Sequence, residues 1–142
     1  MYPSLHRREK ALLDGTAMMV ASDHAPHTEE EKSQEYDKCP NGILGLETML
    51  AIVYTHLVKT NYATLTDFVN WFVDNPNKVF GLDERKIAEG YTADITVLDL
   101  DNKYEYKYEE ILSLSKNSPY IGMEFYGFPI ITIVDGKLLY KK

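Results

Sequence analysis

Thr16-Ala17-Met18-Met19-Val20-Ala21, followed at once by Ser22-Asp23-His24-Ala25-Pro26-His27, is the stretch on which the fold reading turns. The first six residues are largely apolar, without polar alternation. Such a run suits a short strand buried on both faces, as in a parallel sheet. A carboxylate and two imidazoles then fall within a few residues, directly after that strand. In parallel α/β folds the loops at strand C-termini carry the active site. Asp and His are ready zinc ligands, and a carboxylate beside a metal can also move protons. The same spacing also suits a plain loop in which these side chains cap backbone groups. Pro26 holds the chain extended, so Asp23 and His27 need not chelate one ion together.

Outward from this stretch, residues 8–13 read as a last helical turn stopped near Gly15. Residues 22–42 are polar, with Pro26, Pro40 and the run Glu29-Glu30-Glu31-Lys32. A connection of about 20 residues is long, and such loops are functional or disordered. A helical turn at residues 28–32 interrupts it, the acidic residues suiting a helix start. Leu46, Met49, Leu50, Val53 and Leu57 recur at helical spacing. A second helix covers residues 64–73, with Thr64 and Asp67 as a capping-box variant. Asn75-Pro76 fits N-cap and N1 of a short helix that ends before Gly81.

The pattern changes after Gly90. Residues 93–100 are apolar and β-branched. Tyr104, Tyr106 and Tyr108 alternate with Lys103, Glu105 and Lys107, a strand signature with one packed face. Residues 130–134 and 137–140 flank Asp135-Gly136, a hairpin signal. The architecture is therefore expected to change near residues 82–92, from α/β to mainly β.

The 142 residues carry 15 basic and 22 acidic side chains, a formal charge of −7. One ordinary domain fits. A complete eight-stranded α/β barrel, at about 250 residues, does not. The acidic balance argues against a nucleic-acid surface. A hydrophobic content of 44% is ordinary for a globular chain. No apolar run approaches the roughly 18 residues of a membrane span. The start, Met1-Tyr2-Pro3-Ser4, lacks a signal-peptide pattern, so a cytoplasmic setting is expected. The single cysteine, Cys39, excludes an internal disulfide and a Cys-rich zinc site. Lys38 beside it could lower the thiol pKa, but no base is fixed nearby, and a non-catalytic role is expected. His6 and His56 are weaker candidates, His56 falling beside the apolar stripe of a helix. Phosphate-loop, dinucleotide and nucleophile-elbow motifs are absent.

The stretch Ser22-Asp23-His24-Ala25-Pro26-His27-Thr28, with Glu30-Glu31-Lys32, resembles dihydroorotase of the longer bacterial type, within the amidohydrolase superfamily. The likeness continues through Pro40-Asn41-Gly42-Ile43-Leu44-Gly45-Leu46-Glu47-Thr48. It resumes at Asn75-Pro76, Lys78 and Gly81-Leu82, then at Lys86-Ile87-Ala88-Glu89-Gly90-Tyr91 and Ala93-Asp94-Ile95. Ser118-Pro119-Tyr120 and Thr132-Ile133-Val134-Asp135-Gly136-Lys137 resemble the closing segment. The Asp-His-Ala-Pro-His element is specific to dihydroorotases, whereas the later ones mark the superfamily.

The resemblance implies an α/β fold: a C-terminal fragment of a (β/α)8 metal-dependent hydrolase barrel plus part of the small composite β-sandwich domain. Residues 1–83 would be the last strand, the active-site loop and the closing helices. Residues 84–142 would belong to the β domain. Asp23 matches a zinc ligand and general acid/base. His27 matches the histidine that binds the substrate carboxylate, and Asn41 and Gly42 match the loop pair that contacts the pyrimidine ring through backbone. Asn41 stands where the family usually has an aromatic residue. Tyr2-Pro3-Ser4-Leu5-His6 is an echo of the family's Asn-Pro-Pro-Leu-Arg. One or two Zn2+ ions are implied in the intact enzyme, with most ligands in a missing N-terminal portion, so this chain alone is expected to be inactive. The implied reaction is the reversible cyclisation of N-carbamoyl-L-aspartate to L-dihydroorotate in pyrimidine biosynthesis. The expected partners are that small substrate, the missing portion and further copies in a homo-oligomer. A non-catalytic dihydroorotase-like partner protein, and another cyclic amidohydrolase of hydantoinase or allantoinase type, are the competing readings.

Overall fold

The computed structural model describes residues 3–83 and 85–142, and the side chains of residues 3–6 lie outside that description. The chain forms two compact units, each discontinuous in sequence. One comprises Met1–Val20, His56–Leu98 and Pro129–Lys142, and the other Ala21–Thr55 and Asp99–Phe128.

The first unit opens with helix α1 (Pro3–Leu13). Further along, Thr64 caps a helix at Leu65–Val69 that widens into a π-helical turn at Asn70–Asp74. The cap is reciprocal. Asp67 N–H donates to Thr64 Oγ1 at 3.1 Å, and Thr64 N–H donates to Asp67 Oδ2 at 2.8 Å. Leu57, Ala63, Phe68 and Trp71 are the buried apolar residues here. A short helix, Asn75–Phe80, follows without a break. The unit's sheet has the strand order Ile95–Asp99, Phe128–Val134, Lys137–Lys141. The last two strands are antiparallel, with Val134 opposite Lys137. Asp135 and Gly136 between them both have positive φ, as a type I′ turn requires.

The second unit holds the site. Its core is Leu44, Tyr106 and Ile111, with Tyr120 and Phe128 packed against them. Phe125 is 1% exposed and sits edge-on to Phe128. Burying one such side chain stabilises by about 1.5–3 kcal/mol. The exposed Lys103–Glu124 ion pair of the same unit, at 3.0 Å, contributes about 0–1 kcal/mol. Apolar packing therefore decides its stability. Tyr104–Glu105 pairs antiparallel with Glu124–Phe125. Two further bonds prolong the contact, Tyr106 N–H to Met123 O at 2.8 Å and Gly122 N–H to Tyr106 O at 2.9 Å. Glu47 accepts the N–H groups of Leu112 and Ser113 at 3.0 and 2.9 Å, which fixes the segment after Ile111. Burial, and then the nearby Glu47 carboxylate, push the Tyr106 phenol up to about 12.

Four sequence expectations are corrected. Residues 16–21 form no strand. Their polar groups bond locally or to Asn75, and Met18 is 46% exposed, so the run is not buried on both faces. A parallel strand exists only through its neighbours, and no described residue pairs with this run. The tyrosine alternation yields a two-residue strand, because Tyr108 begins a 3-10 turn (Tyr108–Glu110). Asn75 is not an N-cap. Asp74 before it is already helical, and the Asn75 amide instead donates to Met18 O at 2.7 Å. The helix expected from Leu46 starts at Met49, runs to Val53 and continues as a π-helical turn, Tyr54–Val58.

Candidate active site

Asp23 sits at φ +48, a left-handed conformation that Asp tolerates better than most residues. Its side chain is exposed and, among the described residues, has no hydrogen-bond or ionic partner. The left-handed residue turns the chain into a parallel bridge in which His24 faces Ile43 and Ala25 N–H donates to Ile43 O at 2.9 Å. The polar segment thus returns on itself, bringing residues 40–43 beside residues 24–27.

His24 has a structural task that the sequence reading did not assign. Its Nδ1 accepts the N–H groups of Gly45 and Leu46, each at 3.3 Å. These lie just before the first helical bond, from Met49 N–H to Gly45 O. An imidazole from a distant loop therefore satisfies donors that a local cap would otherwise take. Gly45 is needed for this approach, since a Cβ there would lie 2.4 Å from Ser22 O.

His27 faces the other way. Its Nε2 lies 2.9 Å from Asn41 O, and its Nδ1 lies 3.6 Å from Glu31 Oε2. Glu31 belongs to helix α2 (Glu29–Lys32) and closes a capping box with Thr28. Hydrogen bonds from the Thr28 backbone and hydroxyl hold the Glu31 carboxyl below the usual carboxylate range. The ammonium of Lys32, on the same helix, donates to Pro40 O at 2.9 Å and Gly42 O at 3.0 Å. Cys39 packs its sulfur against the carbonyls of Lys32 and Pro40, 3.8 and 3.7 Å away.

Gly42 has φ +123, and a Cβ there would lie 2.4 Å from the Ala25 Cβ and 3.3 Å from His27 Nε2. Only glycine fits that approach. The N–H groups of Asn41 and Gly42 have no partner among the described residues, so this loop pair can donate to a ligand. Asn117, which the sequence reading passed over, closes the arrangement from 90 residues away. Its amide donates to Ala25 O and Gly42 O, both at 3.2 Å, and accepts from His27 N–H at 3.4 Å. Ser115 Oγ lies between His27 O and Asn117 Oδ1. No local pattern marks Asn117; its partners become visible only when the chain is folded.

A cavity of about 760 Å³ opens on this side, lined by His27, Lys32, Tyr108, Lys116 and Asn117 among others. Asp23 does not line it. The Lys116 ammonium is spent on Ile111 O at 2.6 Å and lies 5.7 Å from the Tyr108 ring centre. Among the described residues no three His, Cys, Asp or Glu side chains are placed to hold one metal ion. A zinc centre needs three or four donors. The described residues therefore do not hold zinc by themselves; the expected ligand Asp23 would be a single donor. His56 falls in the π-helical turn Tyr54–Val58, and the His6 side chain lies outside the described residues. No helix of the described residues is long and apolar enough to cross a membrane.

Residues 4–139 match the Amidohydrolase family. Dihydroorotases of Bacillus thuringiensis (strain Al Hakam) and Bacillus cereus (strain AH187) are 42% identical over 148 aligned positions, covering 100% of this chain and 35% of theirs. Among solved structures, the L-hydantoinase (dihydropyrimidinase) of Arthrobacter aurescens superposes with a TM-score of 0.87 at 33% identity, over 96% of this chain and 32% of that one. The D-hydantoinase of Bacillus sp. AR9 gives 0.86 at 30% identity, over 96% and 31%. The chain thus spans about a third of the length of these relatives. With an α/β content that superposes on hydantoinases and a family match over nearly its whole length, the chain belongs to the amidohydrolase family.

Proposed function

We propose that this chain is part of a dihydroorotase, which reversibly closes N-carbamoyl-L-aspartate to L-dihydroorotate and water. The observation that carries this reading is 42% identity to curated dihydroorotases along the entire chain. On this reading residues 1–83 belong to a (β/α)8 barrel and residues 84–142 to the small β domain. Exposed apolar side chains on the helical unit, Phe80 at 66% and Leu82 at 59%, support completion by further polypeptide. The setting is cytoplasmic, in pyrimidine biosynthesis, and the complete enzyme is a homo-oligomer.

Asp23 would be one donor to one or two zinc ions whose remaining ligands come from polypeptide outside this sequence. Zinc, when bound, supplies a nucleophile at neutral pH and polarises the ring carbonyl. Asp23 Oδ would accept a proton from the attacking water and return it to the ring nitrogen as the C–N bond breaks. Its exposure and lack of partners suit that role. His27 would donate to the substrate carboxylate, exchanging its Asn41 contact for a charge-assisted one. The N–H groups of Asn41 and Gly42 would hold the ring.

The test is to express this chain alone and joined to the protein it comes from, and to assay both with zinc. The chain alone is expected to be inactive and the complete protein to convert dihydroorotate. Superposition on hydantoinases favours a second reading, a hydantoin-type cyclic amidohydrolase. Turnover of hydantoins without turnover of dihydroorotate would establish that one. Inactivity of the complete zinc-loaded protein on both would favour a non-catalytic partner.

A further inference from the structure

We propose that Asn117 is a positioning residue for ligand binding, setting the spacing between the His27 loop and the Asn41–Gly42 pair. This deepens the proposed function and rests on it only for the choice of substrate. The amide is used on both sides. Nδ2 spans Ala25 O and Gly42 O, each at 3.2 Å, one on either side of the fold-back. Oδ1 receives His27 N–H at 3.4 Å. These three contacts fix which end of the amide faces which loop, because a donor must meet the two carbonyls and an acceptor the N–H. The Asn117 backbone carbonyl also receives Leu44 N–H at 3.0 Å, anchoring the end of the same loop to the buried Leu44. One residue thus ties both ligand-facing segments to the rigid core, and neither segment reaches Asn117 by sequence proximity. Lys32 holds Pro40 O and Gly42 O from the other flank. The His27–Asn41 and Ala25–Ile43 contacts also cross between the loops, and Asn117 is the residue from outside both segments that bonds to each.

Asn117→Asp keeps the shape and turns an acceptor oxygen toward two carbonyl oxygens. A residue that merely fills space would tolerate it. The test uses the complete protein, with amide hydrogen exchange of peptides covering residues 25–27 and 40–44, and steady-state kinetics with dihydroorotate. Exchange in both peptides is expected to quicken by about tenfold, the equivalent of about one or two lost hydrogen bonds. KM is expected to rise by about tenfold, with kcat changed by less than about threefold, because ground-state and transition-state binding are lost together. Asn117→Ala, which adds no charge, should show the same split if the aspartate variant does not fold. Unchanged exchange in both peptides would overturn the proposal, as would a fall in kcat alone. If the complete protein turns over no dihydroorotate, the dihydroorotase reading fails, and the exchange data still decide the role of Asn117.

Discussion

His27 and Asn41 are joined through the imidazole, with Nε2 2.9 Å from the Asn41 carbonyl oxygen. A carbonyl can only accept, so Nε2 carries the proton and, in the neutral ring, Nδ1 does not. The same imidazole that would bind a substrate carboxylate therefore holds the loop in place while the site is open. On the proposed reading, ligand entry would exchange one acceptor for another at a single nitrogen, with the ring already oriented.

This assigns a tautomer that nitrogen NMR can read. In the neutral ring the His27 Nε2 is expected to give the protonated shift and Nδ1 the unprotonated one. His27→Ala in the complete enzyme is expected to raise KM for dihydroorotate by about 10–100-fold, the size of a hydrogen bond to a charged group. An unchanged KM would remove His27 from the binding machinery.

Asp23 separates chemistry from folding. Its side chain has no partner among the described residues, so Asp23→Asn removes no contact, and Asn tolerates φ +48 equally well. In this chain alone, without the metal centre, the melting temperature is expected to stay within about 1 °C, since surface changes of this kind cost less than about 0.5 kcal/mol. Turnover of the complete enzyme is expected to fall by about 10²–10⁴-fold, the usual contribution of a general acid/base. Asp23→Ala should add strain of about 1–2 kcal/mol from the left-handed backbone. Turnover near the unsubstituted rate in Asp23→Asn would refute the assignment.

These residues also show how far the sequence could be read. The hairpin at Asp135-Gly136, the Thr64 cap, the helical turn within residues 28–32 and the helix stop at Gly81 rest on local chemistry, and the structure has all of them. Residues 16–21 failed because a strand is a relation between segments, and apolar content alone cannot supply the neighbour. Asn75 failed because its amide found Met18 instead of its own backbone. In the candidate site the same divide holds. Gly42 stood out as part of a motif, whereas the tasks of His24, Lys32 and Asn117 depend on loops that meet only in three dimensions.

Gly42 gives a prediction of stability. Gly42→Ala would place a methyl 2.4 Å from the Ala25 Cβ at φ +123, so it meets both a clash and a backbone penalty. Strain of this kind costs about 1–3 kcal/mol. Combining it with Ala25→Gly removes the 2.4 Å clash and leaves the φ penalty with the closer contacts to Ala25 O and His27 Nε2, so thermal unfolding should show partial rescue. Full rescue would mean the backbone at position 42 is not strained, and no effect in the single variant would mean the loop is not packed as described.

Glu31 gives the acid limb. Its folded-state pKa is depressed by the Thr28 backbone and hydroxyl, with His27 adding a smaller electrostatic pull. A group whose folded pKa lies below its unfolded value stabilises above the unfolded pKa and loses that contribution as pH falls through the folded one. The carboxylate end of the Thr28 cap is therefore complete at pH values above the ordinary 4.5 of a glutamate and opens below it. Because helix α2 carries Lys32, opening the cap should loosen the hold on Pro40 and Gly42 as well. The Thr28 and Gly42 amide resonances are expected to titrate together on acidification, with a shared midpoint below 4.5. Glu31→Gln, which keeps a weaker acceptor but no titrating group, should abolish the step for both. A Gly42 resonance that titrates unchanged in Glu31→Gln would show that helix α2 does not govern the loop.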